Sequence, residues 1–261
     1  MTEDETFRKD AGAAPAGYTA WEAAGLLWLE EAEATGGARV VQVRDVTTDH
    51  LDLEKLSPVP PTNFQADAFG AALATTHAAG ADAFGSPPAR WSTHGFLGPA
   101  IRPLPLPLQP TQRWGEFYGE QRILHTYRLG RNQGTFDEDG DRALFESVAT
   151  RLTEGAFDTD DAPARIHGDL WSGNILWTRG GGVLIDPAAH GGHRETDLAM
   201  LMLFRGPHVA RIVAAYDEAA PLADGWQERV PLHQLHPVMM HAVLFGGGYV
   251  EQARQIARRL A

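Results

Sequence analysis

Between residues 175 and 185 the chain reads ILWTRGGGVLI, two short apolar runs joined by Thr-Arg-Gly-Gly-Gly. Aliphatic and β-branched residues on either side of a glycine cluster specify a β-hairpin: glycine gives the turn its backbone freedom and the flanks favour strands. A turn centred on Gly180 pairs Asn174 with Asp186, Ile175 with Ile185 and Trp177 with Val183. Residues directly opposite in an antiparallel pair point to one face, with Cα atoms roughly 4.5 to 5.5 Å apart. The predicted register therefore sets a side-chain amide beside a carboxylate at the open end of the hairpin.

An amide oxygen and a carboxylate so placed suit a hard, oxygen-seeking cation such as Mg²⁺. The segment just before the hairpin, RIHGDLWSGN (165–174), adds His167 and Asp169, and Asp169 lies five residues ahead of Asn174, close enough for a tight loop to return it to the same rim. Phosphoryl transfer asks for this set: metal ions that bridge phosphates, and a separate carboxylate that takes the proton of the attacking hydroxyl. Asp169 is the expected base, and Asn174 and Asp186 the expected metal ligands. Taken singly, each residue also suits a polar turn, where Asp and Asn satisfy nearby backbone. His167, Asp169, Asn174 and Asp186 together, at hairpin spacing, favour the site.

Composition narrows the remaining chemistry. The chain has no cysteine, which excludes disulfides, thiolate metal sites and cysteine nucleophiles. A formal net charge of −12 argues against a general nucleic-acid binder, whose affinity rests on clustered Lys and Arg. No run of eighteen uncharged apolar residues occurs, and residues 1–8 carry three acidic residues and no secretory signal, so a cytoplasmic protein without a membrane partner is expected. Hydrophobic residues at 43% are ample for a buried core in 261 residues. The only lysines are Lys9 and Lys55, which singles out each of them.

Along the chain, Thr19 to Glu33 has the spacing of an amphipathic helix, and Val40 to Val46 and His50 to Leu56 read as two strands. LSPVPPT at 56–62 breaks regular structure with three prolines and marks the boundary between a small first lobe and a larger second one. Asn63 to Ala79 reads as helix, Gly85 to Pro110 as a polyproline-like surface loop, and Trp114 to Leu129 and Asp141 to Thr153 as helices. From Glu195 onward everything except RGPH and PLADG reads as helix. No fixed-period repeat is present, and no G-x-S-x-G elbow supports a serine hydrolase.

HGDLWSGN (167–174) followed by VLIDP (183–187) resembles the catalytic loop and metal-binding aspartate of protein-kinase-like small-molecule kinases, including aminoglycoside phosphotransferases. The Leu-Trp-Ser-Gly filling, DPAAHGGHRETDLAM (186–200) and HAVLFGGGY (241–249), together with FGSPPARW and WGEFYGEQRIL, resemble the fructosamine (ketosamine) kinase family over about residues 7–253. The resemblance implies an α+β, two-lobed protein-kinase-like fold. Its shortened N-terminal β lobe, a sheet plus one helix, spans residues 1–60 with a hinge near 54–60. A mostly α-helical C-terminal lobe, 61–261, carries the catalytic loop and the metal-binding hairpin.

It further implies ATP- and Mg²⁺-dependent phosphorylation of the sugar of glycated amines, a small-molecule acceptor. Asp169 is then the base, Asn174 and Asp186 the magnesium ligands, His167 a support of the loop and Asp197 the helix aspartate that braces its backbone. Lys9 and Glu22 resemble the strand lysine and helix glutamate that pair in the first lobe, and the backbone of Glu54 and Leu56 resembles the segment that meets adenine. Only eight residues precede Lys9, where such kinases place two strands and a glycine-rich turn. Either the chain starts upstream or the phosphate lid is lost. The second case makes a nucleotide-poor pseudokinase or binding module the alternative function.

Three features stay open. HGGHRE places His190, His193 and Glu195 close together, as ligands of a zinc hydrolase would be, but in a Gly-rich loop that fixes no metal geometry; plain packing is a second reading, and the family resemblance implies a loop beside the acceptor with His193 and Arg194 as substrate contacts. Trp171 suits either a sugar face or a core anchor. His241 and FGGGY, on an apolar helical pattern, read as a core histidine and close helix packing. Oligomeric state has no signature in the sequence.

Overall fold

Lys9 sits on β1 (Thr6–Asp10), which pairs antiparallel with β4 (His50–Glu54) so that Lys9 faces Leu51 across the ladder. The computed structural model describes residues 5–261; the reading of the acidic start falls partly on residues 1–4, outside the described residues. β3 (Val43–Val46) completes the sheet in the order β1-β4-β3. Helix α1 (Tyr18–Glu30), the expected amphipathic helix with a 3₁₀ turn at Glu31–Thr35, buries Trp21, Leu26 and Leu29.

The single strand expected over Val40–Val46 divides in two. Arg39–Val40 forms β2, which leaves the first sheet and runs parallel to β9 (Gly181–Leu184). Val40 and Val41 are both buried, and the Val41 N–H donates to the Leu184 carbonyl at 3.0 Å. Two consecutive buried residues cannot face one side of a single sheet, so the chain twists between sheets.

After the proline break, Thr62 caps α2 (Asn63–Ala78) in a capping box with Gln65. The Gln65 amide also donates to the Thr178 carbonyl at 2.9 Å, so the start of this helix holds the hairpin turn. The Gly85–Pro110 segment is not a plain surface loop: β5 (Gly95–Leu97) and β6 (Leu104–Leu106) pair antiparallel. Leu104 and Leu106 alternate with prolines and are buried, as a period-2 pattern on a short edge strand allows.

A continuous helical stretch follows: α3 (Trp114–Phe117), a π-helical segment (Tyr118–Leu124) and α4 (His125–Asn132). Next come α5 (Asp141–Thr153), β7 (Ala164–Ile166), β8 (Ile175–Thr178), β9 and β10 (His190–Gly192), with β10 pairing β7. The C-terminal part is α6 (Arg194–Leu203), α7 (Val209–Ala219), α8 (Trp226–Phe245) and α9 (Gly248–Leu260). The break between α8 and α9 corrects the continuous helix read through FGGGY. Gly246 and Gly247 take φ of 65° and 62° with ψ of −142° and −141°, a backbone region essentially confined to glycine.

The β8–β9 hairpin forms, with its register shifted by one residue from expectation. Ile175 pairs with Leu184, Trp177 with Gly182 and Thr178 with Gly181, closing on Arg179-Gly180. The Thr178 hydroxyl accepts from the Gly180 N–H at 3.2 Å and donates to the Gly181 carbonyl at 3.0 Å, which tightens the turn to two residues. Asn174 therefore lies opposite Ile185, whose N–H donates to the Asn174 carbonyl at 3.1 Å, and not opposite Asp186.

One apolar cluster joins α1, β4, α2, β9 and α7, and a second joins the 114–152 helices to α8 and α9. Among the described residues no helix is long and apolar enough to cross a membrane.

Candidate active site

The catalytic-loop candidate is held from behind. Asp197, on the first turn of α6 and 1% exposed, accepts the backbone N–H of His167 (Oδ2, 2.7 Å) and of Gly168 (Oδ1, 2.9 Å). His77, at the end of α2, meets the same Oδ2 through Nε2 at 3.1 Å, and its Nδ1 meets the Tyr216 hydroxyl at 2.9 Å. Burial alone would raise the Asp197 pKa, but these donors and the nearby imidazoles hold it below the usual value. Gly168 has φ +81°, and a Cβ there would stand 2.2 Å from the Ala188 carbonyl oxygen, so this turn needs glycine.

His167 is buried, and burial lowers its pKa despite Asp197 and the Ile185 carbonyl, so it is neutral. Its Nε2 lies 2.9 Å from the Ile185 carbonyl and its Nδ1 3.3 Å from the Asp169 N–H. The pattern assigns the proton to Nε2 and makes Nδ1 an acceptor, which fixes the backbone at Asp169.

Asp169 emerges from this support into a cleft. Burial pushes its carboxyl up to about 7; the Asn174 amide opposes the shift, and the charges of Asp186 and Asp197 add to it. Asn174, on a 3₁₀ turn (Ser172–Asn174), donates through Nδ2 to the Asp169 carbonyl (2.8 Å), to Asp169 Oδ2 (3.3 Å) and to the Asp186 carbonyl (3.4 Å). Despite the shifted register, the Asn174 amide reaches the Asp186 main-chain carbonyl. The reason is Asp186, whose φ of 55° bends the chain out of the strand back toward Asn174. A non-glycine residue in the left-handed region costs roughly 1 kcal/mol or more and persists where surrounding contacts fix it.

From the other side, the Lys9 ammonium contacts both carboxylate oxygens of Glu22 (2.7 and 2.8 Å) and Oδ1 of Asp186 (2.7 Å). Burial alone would lower the Lys9 pKa, but the two carboxylates outweigh it and keep the group charged. Burial drives the Glu22 carboxyl upward, and Lys9 opposes that. The expected Lys9–Glu22 pair thus forms, and a Lys9–Asp186 contact accompanies it.

Lys9, Glu22, Asp169, Asn174 and Asp186 all line one cavity of about 710 Å³, within the size range of small-molecule sites. Trp171 lines it too, 40% exposed, which places its ring on the wall and not in the core. His241 also lines the cavity, half-buried, in place of the core position read from its pattern.

Other expected residues lie elsewhere. Glu54 and Leu56 are outside the cavity lining, and the Glu54 N–H already donates to the Gln42 carbonyl at 2.9 Å. His193 and Arg194 do not reach the cavity. His193 is buried as the N-cap of α6, with Nε2 3.0 Å from the Thr159 hydroxyl, and Arg194 pairs with Asp161 at 2.7 Å. His190 turns to the Ala188 carbonyl at 2.8 Å, and burial pushes it down to about 3. Among the described residues His190 does not join His193 and Glu195 in a metal-ligand grouping, so the minor zinc reading of HGGHRE gains no support. His193, Glu195 and His233 do converge, but the Arg229 guanidinium already takes both Glu195 oxygens, at 2.6 and 2.9 Å.

His77 and Tyr216 were not anticipated. Neither belongs to a motif, and His77 stands 120 residues before the aspartate that it meets.

Comparison with known proteins identifies the family and the fold. The family model described as fructosamine kinase matches residues 3–261. A relative from Synechocystis, described as a probable ketoamine kinase, is 35% identical over 193 residues; the match covers 73% of this chain and 60% of the relative. One from Vibrio parahaemolyticus with the same description is 32% identical over 236 residues, 89% of this chain and 77% of the relative. The crystal structure of a protein described as a "putative fructosamine-3-kinase" from Thermobifida fusca superposes with a TM-score of 0.86 at 45% identity, over 98% of this chain and 85% of that one. The ADP-bound aminoglycoside phosphotransferase APH(2'')-Ib, 10% identical, shares the fold with a TM-score of 0.60 over 99% of this chain and 88% of its own. The architecture is accordingly that of the two-lobed, α+β protein-kinase-like fold, and the chain belongs to the fructosamine kinase family.

Proposed function

We propose that this chain is an ATP- and Mg²⁺-dependent phosphotransferase acting on a sugar hydroxyl of a ketosamine, such as a fructosamine or ribulosamine. One observation carries the reading: Asp169, on a loop pinned by Asp197, lines the same cleft as the Lys9–Glu22 pair and the Asn174–Asp186 oxygens. The relatives described as ketoamine kinases support the acceptor class, and the ADP-bound neighbour of the same fold supports nucleotide use.

Phosphoryl transfer depends on positioning and charge neutralisation more than on covalent chemistry by the protein. Glu22 holds the Lys9 ammonium where phosphate oxygens can take the place of Asp186. The Asn174 Nδ2 is committed to the Asp169 and Asp186 carbonyls, which leaves Oδ1 free; with the half-exposed Asp186 carboxylate it makes an oxygen donor set of the kind Mg²⁺ takes. When bound, the ion supplies neutralisation of phosphate charge. Asp169 accepts the proton of the attacking hydroxyl while the new O–P bond forms and the bond from the γ-phosphorus to the ADP oxygen breaks. Its pKa of about 7 suits a base that works near neutral pH. The backbone of Glu54 and Leu56, outside the lining of this cavity, is the proposed adenine contact.

The test is incubation with ATP, Mg²⁺ and a panel of fructosamines and ribulosamines, read by mass spectrometry. A phosphoryl mass added to the sugar supports the assignment. ATP left intact with every acceptor overturns it.

A further inference from the structure

The cavity has two chemically different ends. Among the described residues the side chains with formal charge that line it are Lys9, Asp10, Glu22, Asp169 and Asp186. Another part of the lining is an aromatic cluster. Trp171 meets Phe204 at 6.1 Å between ring centroids, Phe204 meets His241 at 5.0 Å, and His241 meets Phe245 at 5.5 Å and Tyr249 at 5.1 Å.

These rings come from the catalytic loop, the end of α6, α8 and the start of α9, so the Gly246-Gly247 turn is what brings Tyr249 beside His241. No lysine or arginine lines this wall among the described residues. Arg102, the nearby cation, is committed to Gln133 Oε1 at 2.5 Å and to the Leu244 carbonyl. The His241 Nδ1 lies 2.8 Å from the Pro237 carbonyl, which fixes the tautomer and leaves Nε2 as an acceptor.

Resting on the kinase reading above, we propose that this aromatic wall receives the amine end of the acceptor and selects ketosamines whose nitrogen carries an apolar or aromatic group. The charged end holds phosphates, and the accepting hydroxyl sits at Asp169, so the rest of the acceptor runs away from Lys9. Trp171, two residues beyond Asp169, begins the surface that it meets there. The protonated amine itself is favoured against ring faces, since a cation is attracted to the negative face of an aromatic quadrupole. An apolar substituent gains by leaving water against the same rings. A carboxylate on that substituent loses its hydration where no cation replaces it, and enters a cavity that already holds four carboxylates.

Three acceptors separate these effects: the fructosamines of benzylamine, of 4-(aminomethyl)benzoate and of methylamine, assayed with ATP and Mg²⁺. The benzyl compound is expected to show a kcat/KM about tenfold or more above each of the other two, since a discrimination of this size corresponds to one desolvated charge or one ring buried. Phe245, 63% exposed at the end of α8, is the position at which a cation is introduced. Phe245→Arg is expected to raise the benzoate compound relative to the benzyl one, with the thermal melt checking that the variant is folded.

Equal or higher kcat/KM for the benzoate compound in the wild-type protein overturns the selection and leaves the kinase reading intact. Transfer to none of the three while another ketosamine is phosphorylated overturns it as well. Transfer to no ketosamine at all removes the kinase reading and this inference with it.

Discussion

The Lys9 ammonium lies 2.7 Å from Asp186 Oδ1 while it contacts both oxygens of Glu22, so one cation on β1 ties α1 to the residue that ends the hairpin. Lys9 thus occupies the carboxylate assigned to the metal. Removing it frees Asp186 for a cation but strips the phosphate site of its positive charge. Lys9→Met should therefore tighten Mn²⁺ binding to the nucleotide-free protein by about 3- to 10-fold, and lower kcat/KM for ATP by about 10²-fold or more. Calorimetric titration with Mn²⁺ alone, beside steady-state kinetics, reads both. Weaker Mn²⁺ binding in the variant contradicts the competition.

Asp169 carries a folded-state pKa of about 7, against an ordinary 3.8. The folded protein then binds more protons than the unfolded chain between about pH 4 and pH 7. Stability contributed by this group is present below that window and falls as pH rises through it. Asp169→Asn removes the cost: discounted for the solvent that reaches the side chain, the variant should be about 1 to 2 kcal/mol more stable than wild type at pH 8 and close to it at pH 4. Urea melts at the two pH values, without nucleotide or metal, decide the matter. A variant less stable at pH 8 speaks against the raised pKa.

Asp197 accepts two backbone N–H groups and meets His77 from a position that is 1% exposed. Asparagine places an amide where a carboxylate oxygen was accepting, and leaves a buried donor unpaired. Asp197→Asn should cost about 2 to 4 kcal/mol in denaturant melts and lower kcat more than it changes KM. An unchanged kcat in a folded variant removes Asp197 as the brace.

Gly168 cannot carry a side chain without moving backbone, since its Cβ would stand 2.2 Å from the Ala188 oxygen at φ +81°. Gly168→Ala is expected to destabilise the protein by about 2 kcal/mol or more and to abolish measurable turnover, because the displaced neighbour is Asp169. Melting temperature and kcat measured on the same preparation separate the two effects. Wild-type turnover from this variant contradicts the assigned loop geometry.

The parts of this arrangement legible in the sequence are those encoded locally. The hairpin follows from aliphatic runs around glycines, α1 and α5 from their apolar spacing, and Asp169, Asn174 and Asp186 from motif density. The register escaped by one residue because the Thr178 hydroxyl closes a two-residue turn where the glycine cluster suggested a longer one. Asp186 nonetheless reaches Asn174 through a left-handed φ that non-glycine residues seldom adopt and that sequence does not announce.

The brace from His77 and Tyr216 was invisible because its members are more than a hundred residues apart and meet only through tertiary packing. His193 and Arg194 misled for the converse reason. They sit beside the motif in sequence, but a helix N-terminus turns them inward toward Thr159 and Asp161.

The central claim is that Asp169 is the base of a phosphoryl transfer, and single-turnover kinetics of wild type and Asp169→Asn with ATP, Mg²⁺ and an unphosphorylated ketosamine acceptor test it most directly. The account predicts a rate of transfer about 10²- to 10⁴-fold lower in the variant, with nucleotide affinity little changed. A variant that transfers at the wild-type rate contradicts it.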